Sequence, residues 1–183
     1  MKALPWIVFG IAALAQWAVP VAGIMQYEQV LAQGSLVKIK CGAPDPYDPL
    51  RGRYLAVRPE QHQAGVPQFM KLGRGMRVYG TLTTGADGLA SITSLSLTPP
   101  AGGDYIRLKS DYVYDGKASI LWPFDRFYIN EKLAPEADKW FAENLRSANG
   151  ITAEVRVLRG RAVLADLSLD GKPFRDILRQ RVK

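Results

Sequence analysis

Residues 3–25, ALPWIVFGIAALAQWAVPVAGIM, carry no charged side chain and one polar one, Gln16. An uncharged apolar run of that length limits the chain to few fates, because it must be covered by lipid, by a protein core, or be removed. At about 1.5 Å of helical rise per residue it is long enough to cross a hydrocarbon core of about 30 Å. Trp6 near its start and Tyr27 just past its end fit interfacial anchors. Pro20 is expected to kink a membrane helix rather than end it. The continuation QYEQVLAQG keeps an apolar face through Tyr27, Val30 and Leu31, and Gly34 is a natural C-terminal stop. A cleaved signal is the competing reading. Ala13-Leu14-Ala15 has the small-x-small pattern, but cleavage there would leave a short apolar region before it and an apolar run after it. A retained single-pass anchor is therefore expected. Lys2 precedes the run, while Lys38, Lys40, Arg51 and Arg53 follow it, so positive charge alone does not send the C-terminal side out. Long domains translocate largely regardless of charge, and the body is expected outside the cytoplasm.

The body beyond the anchor is alternating and turn-rich. Of the 183 residues, 48% are hydrophobic and 22% charged, the balance of a chain that folds. SLVKIKC, RYLAVRP, MRVYGTLTT, LASITSLSLTP, DYIRLKSDYVY, KASILWPF, RFYIN, ITAEVRVLRG and AVLADLSLD read as strands. GADG and Asp115-Gly116 have hairpin chemistry, and the last two strands join tightly around Gly160. One body helix is expected in APEADKWFAENLRSANG. Pro135 and acidic residues sit in its first turn, Ala137, Trp140, Phe141 and Leu145 share a face, and Asn149-Gly150 forms the stop. The segments ASITSLSL (90–97) and AVLADLSL (162–169) echo each other, each closing a hairpin. The expected architecture is a mainly β sandwich or barrel-like body of two related β units, about 36–98 and 104–170, with one N-terminal transmembrane helix and one short body helix. The chain thus divides into an anchor with its helical extension (1–34), the β domain (35–171) and a basic tail (172–183). That tail, GKPFRDILRQRVK, reads as a solvated basic end or as a contact for anionic headgroups.

The loop CGAPDPYDPLRGRYLAV stands out in this β-like setting. Pro44, Pro46 and Pro49 fix φ and withhold ladder donors, so the preceding strand must end there. Asp45 and Asp48 can cap the turn or pair with Arg51 and Arg53, and Gly52 permits a tight entry to the next strand at Tyr54. DPYDPLRGRYLAV, the later GDYIRLK and DRFYINEKLAPEAD together resemble the GDYXXLXY family of bacterial membrane-anchored proteins, and the resemblance runs from the N-terminal helix to about residue 171. The first copy of the motif has Arg53, Val57 and Pro59 where the family pattern has aspartate, leucine and tyrosine. The second keeps Gly103, Asp104, Tyr105 and Leu108, with Ser110 at the last place. The resemblance implies a single-pass bacterial inner-membrane protein with a periplasmic β domain, found beside multi-pass membrane proteins, and carries no established activity.

Residue chemistry favours a non-enzymatic protein. The one histidine, His62, lies in the polar stretch PEQHQAGVPQ, and the one cysteine, Cys41, can form no disulfide within the chain. GRGMRVYG has glycines but neither the Lys-Ser/Thr nor the helix of a phosphate loop. The net charge of +7 and the tyrosines at 54, 79 and 105 could suit nucleic acid, but basic residues alternating on strands are usually one solvated face, and no nucleic-acid role is expected. No cofactor or metal is expected. A Ser-Lys membrane peptidase, or a degenerate relative, is the enzymatic alternative, with Ser35 as nucleophile and Lys109 as base. A base lysine must be buried, and Lys109 alternates with apolar neighbours. The favoured expectation is an interaction module, held to lipid by the N-terminal helix and docking a multi-pass inner-membrane protein or an envelope component. Its candidate interaction loop is Asp45, Asp48, Arg51, Arg53 and Tyr54, and its second motif Gly103, Asp104, Tyr105 and Leu108.

Overall fold

The structure, a computed structural model, describes residues 4–42, 54–68, 70–130, 133, 151–169 and 171–181. The residues expected to form the body helix, and Asp45, Asp48, Arg51 and Arg53, lie outside the described residues.

The apolar run forms α1 (Leu4–Gln33), with Pro20 inside it. Its large apolar side chains from Trp6 to Met25 are exposed, whereas Val30, in the last turns, is 2% exposed against the body. The helix ends where the Gly34 N–H donates to the Val30 carbonyl at 2.9 Å, and the first strand starts at the next residue. Glycine is required at this joint. A Cβ on residue 34 would stand 2.5 Å from the Val30 oxygen and 3.0 Å from the Val157 nitrogen, both backbone atoms. The Arg156 guanidinium ties the joint down, donating to the Gly34 carbonyl at 2.9 Å.

The body is mainly β. In chain order its strands are β1 (Ser35–Cys41), β2 (Tyr54–Ala56), β3 (Gln63–Gly65), β4 (Arg77–Thr84), β5 (Ala90–Ser96), β6 (Tyr105–Tyr114), β7 (Lys117–Leu121), β8 (Arg126–Tyr128), β9 (Ile151–Leu158), β10 (Arg161–Leu169) and β11 (Lys172–Pro173), followed by α2 (Phe174–Arg181). They make a four-stranded sheet, β1-β9-β10-β11, a five-stranded sheet, β3-β7-β6-β4-β5, and the pair β2-β8. Alternation turns one face of each strand inward. In β9, Ile151, Ala153, Val155 and Val157 are buried, and in β6, Ile106, Leu108 and Ser110 are. The apolar ones among these join residues of every layer in one hydrophobic core.

The five-stranded sheet curls until its edge strands β3 and β5 meet. No backbone ladder joins them. At this seam the Gln61 side chain stands in for a strand, its Oε1 accepting from the Ile92 N–H at 2.7 Å and its Nε2 donating to the Ile92 carbonyl at 2.8 Å. The Gln61 carbonyl in turn accepts from the Trp122 indole at 2.8 Å. The polar stretch around His62 is therefore the closing seam of a barrel-like sheet, rather than a plain loop.

The sequence echo marks two equivalent hairpins, β4–β5 and β9–β10. Each has a one-residue bulge, at Thr93 between the Thr81–Ser94 and Leu82–Ile92 pairs, and at Ala165 between Val155–Leu164 and Glu154–Asp166. These bulges occupy the same place in the two echoed segments. The halves are nevertheless not separate lobes. β1 pairs with β9, and β6 pairs with β4, so each half lends its first strand to the other's hairpin. Between them β2 pairs with β8, Leu55 opposite Phe127.

The segment expected as a solvated basic tail is folded through Arg181. Lys172 and Pro173 pair with Leu169 and Ser168, which carries the domain past residue 171. In α2, Phe174 and Leu178 are 1% and 2% exposed, with the Phe174 ring edge-on to Phe127 at 6.4 Å. Phe174, Ile177 and Leu178 form a helical stripe at spacings of three and four, and this stripe wins because its burial outweighs the solvation of the flanking basic residues, which stay outside.

Candidate functional site

The second motif lies on β6 and its approach. Gly103 has φ +76°, and the Asp104 carbonyl accepts from the Leu82 N–H at 2.8 Å. From there alternation sorts the strand. Ile106 and Leu108 point into the core, while Tyr105, Arg107 and Lys109 point out. Ser110, at the last motif place, is fully buried, its Oγ donating to the Gly73 carbonyl at 2.6 Å. A serine rather than a large ring therefore ends the inward row.

The turn of the β9–β10 hairpin docks on the outward side of this strand. Arg159 and Gly160 have φ +49° and +77°, the two positive angles of a type I′ turn. The Gly160 carbonyl accepts from the Arg107 N–H at 2.8 Å, and the Tyr105 ring lies against the glycine, where a Cβ would be 2.6 Å from its Cε2. That ring also meets Tyr79, edge-on at 5.9 Å. The end of α1 reaches the same turn. Gln26, Tyr27 and Val30 face Gly160 to Val163 across a cleft of about 310 Å³ that Arg107 and Pro123 complete. The Arg161 guanidinium donates to the Gln26 Oε1 across it. A second cleft, of about 470 Å³, shares Arg107 and Pro123 and is lined further by Arg77, Lys109 and Trp122.

Arg107 is the cationic side chain that both clefts share. Its Nε is buried and has no acceptor among the described residues, and its guanidinium lies 6.0 Å from the Tyr79 ring centre. Cross-strand register sets Arg77 directly opposite Lys109. Among the described residues neither cleft is lined by a carboxylate.

Of the other candidate residues, Tyr54 lies on β2, its ring 6.1 Å from that of Tyr128 and 5.0 Å below the Arg126 guanidinium. Ser35 opens β1 opposite Val157, and Lys109 lies in the other sheet opposite Arg77 and Leu121. Both are exposed, and no hydrogen bond joins them among the described residues. Cys41 is buried at the end of β1, and desolvation pushes its thiol up to about 12. Sequence reasoning passed over Arg107, Arg161 and Gln61. Arg107 sits between two motif residues and alternation places it outward, but the turn that encloses it comes some fifty residues later in the chain.

A mainly β body carrying one helix long and apolar enough to cross a membrane is the class of protein that this fold defines. Within it, the chain belongs to the GDYXXLXY family, whose model, described as GDYXXLXY protein, matches residues 16–167. No curated protein and no solved structure matches the chain.

Proposed function

We propose that the protein is a membrane-anchored interaction module, non-enzymatic, with its body on the periplasmic side of a bacterial inner membrane, docking a multi-pass membrane protein or another envelope component. The carrying observation is α1. Its most apolar 18-residue window has a mean hydropathy of 1.9 and leaves the body with its apolar surface uncovered, while the last turns of the helix are held to β9 and β10. Such a surface requires lipid or other apolar helices around it. The end of β6, just before the Asp115-Gly116 turn, presents Tyr112, Val113 and Tyr114 to solvent, an apolar and aromatic tip of the kind found at interfaces. Two measurements test this. Affinity-tagged full-length chain, extracted in several mild detergents, is expected to bring a multi-pass protein with it; recovery as a solitary monomer in all of them defeats the proposal. Alkaline phosphatase fused after Lys183 is expected to be active, which only an extracytoplasmic C-terminus allows.

A further inference from the structure

We propose that the paired clefts around Arg107 bind a phosphate-bearing anion, presented there by the headgroup of an anionic lipid. The charge arrangement calls for one. Arg77, Arg107, Lys109 and Arg161 line the two clefts, and among the described residues no carboxylate does. Four basic side chains elsewhere do have acidic partners, in Lys40–Glu60, Arg74–Asp111, Arg126–Asp125 and Arg179–Asp176. Here Arg77 and Lys109 oppose each other directly, a like-charge pairing that destabilises a sheet unless an anion lies between. The Arg107 Nε is buried without an acceptor among the described residues. A buried guanidinium N–H without an acceptor is costly, and the planar fork that carries it matches the oxygens of a phosphate.

Position selects the source. Gln26 and Tyr27, which line the cleft, directly follow Met25, the last residue of the apolar run. From Leu4 to Met25 the helix rises roughly 33 Å, about one hydrocarbon core. The cleft thus opens at the depth of the headgroups. The nearest acid on α1, Glu28, is exposed and lines neither cleft. The inference rests on α1 crossing the bilayer, as in the proposed function.

The test uses the full chain in neutral-detergent micelles, titrated in one arm with short-chain phosphatidylglycerol and in another with inorganic phosphate, binding being read by native mass spectrometry. One lipid per chain is expected, with phosphate a weaker competitor. Arg107→Gln and Arg161→Gln are each expected to weaken lipid binding at least tenfold, while Arg74→Gln, whose guanidinium pairs with Asp111, leaves it unchanged. Arg161 is exposed, so that variant carries the test should Arg107→Gln fail to melt cooperatively. Equal weakening by all three substitutions, or no adduct in either arm, overturns the site. Phosphate binding as tightly as the lipid overturns the lipid source. Carbonate extraction of membranes reads the anchor separately: a chain released by carbonate that still binds phosphate in an Arg107-dependent way loses the anchor and the lipid source but keeps the anion site.

Discussion

Replacing Gly160 with alanine tests how tightly the hairpin turn is seated on β6. Two penalties combine there. The position has φ +77°, where an L residue is strained by about 1 kcal/mol or somewhat more. The added Cβ also stands 2.6 Å from the Tyr105 Cε2, well inside contact distance. The ring has no easy retreat, since Tyr79 meets it edge-on at 5.9 Å and its own backbone is laddered to Thr81. Overpacking of this kind costs about 1–3 kcal/mol. Gly88 is the internal control, because its φ is +76° but a Cβ there meets nothing within 4 Å. Gly88→Ala is therefore expected to cost about 1 kcal/mol and Gly160→Ala about 3 kcal/mol. Urea unfolding of the full chain in detergent, followed by far-UV circular dichroism, separates values this far apart. A double-mutant cycle then locates the excess. With Tyr105→Ala in the background, Gly160→Ala should fall to the cost of Gly88→Ala. Equal costs for the two glycine substitutions, or no coupling to Tyr105, would refute the argument that the ring and the turn are packed against each other.

Gln61→Ala leaves the N–H and carbonyl of buried Ile92 without partners at the seam, and is expected to cost about 2–4 kcal/mol in the same unfolding assay. Cys41, with its thiol held at about 12 by burial, should resist a thiol reagent at pH 8 in the folded chain and react at once in denaturant; rapid labelling of the native protein would contradict its position. Asp166 titrates above the ordinary carboxylate range, first because burial disfavours its charge. The folded state therefore holds that proton more tightly than the unfolded one. Stability is lost as pH rises from the unfolded value through the raised folded one, and stays lower above it. Asp166→Asn keeps an acceptor for the Leu167 N–H and removes the buried charge, so it should be more stable than the parent at pH 7 and lose that advantage in acid.

Local chemistry made much of the fold legible. Alternation located strands such as SLVKIKC, and Asp115-Gly116 placed the β6–β7 turn, because these depend on neighbours in sequence. The echo between 90–97 and 162–169 found the two bulged hairpins, but alternation does not say which strand lies beside which, so the exchange of β1 and β6 between halves was hidden. Charge misled in α2, where Phe174 and Leu178 hide among arginines. Gln61 was invisible for a different reason. A lone glutamine among polar residues gains its role only when β5 closes on β3. At the site, sequence pointed to Tyr105 and Leu108, while the enclosure of Arg107 between them depends on a turn brought from far along the chain.

The exchanged first strands also govern how the chain can reach its native state. Ser35, the first residue of the body, pairs with Val157, so β1 has no partner until nearly the whole body has been synthesised. The β4–β5 hairpin similarly waits for β6. Closing a loop that long before any contact rewards it makes folding slow, as in other proteins dominated by distant pairings. Neither half is a folding unit, and a chain cut between them, after residue 98 for example, would leave both hairpins with an open edge. The five-stranded sheet, all within residues 63–121, can pair early, but β1 and the core that the two sheets share wait for the C-terminal hairpin, so the last strands made complete the structure beside the helix from which it began.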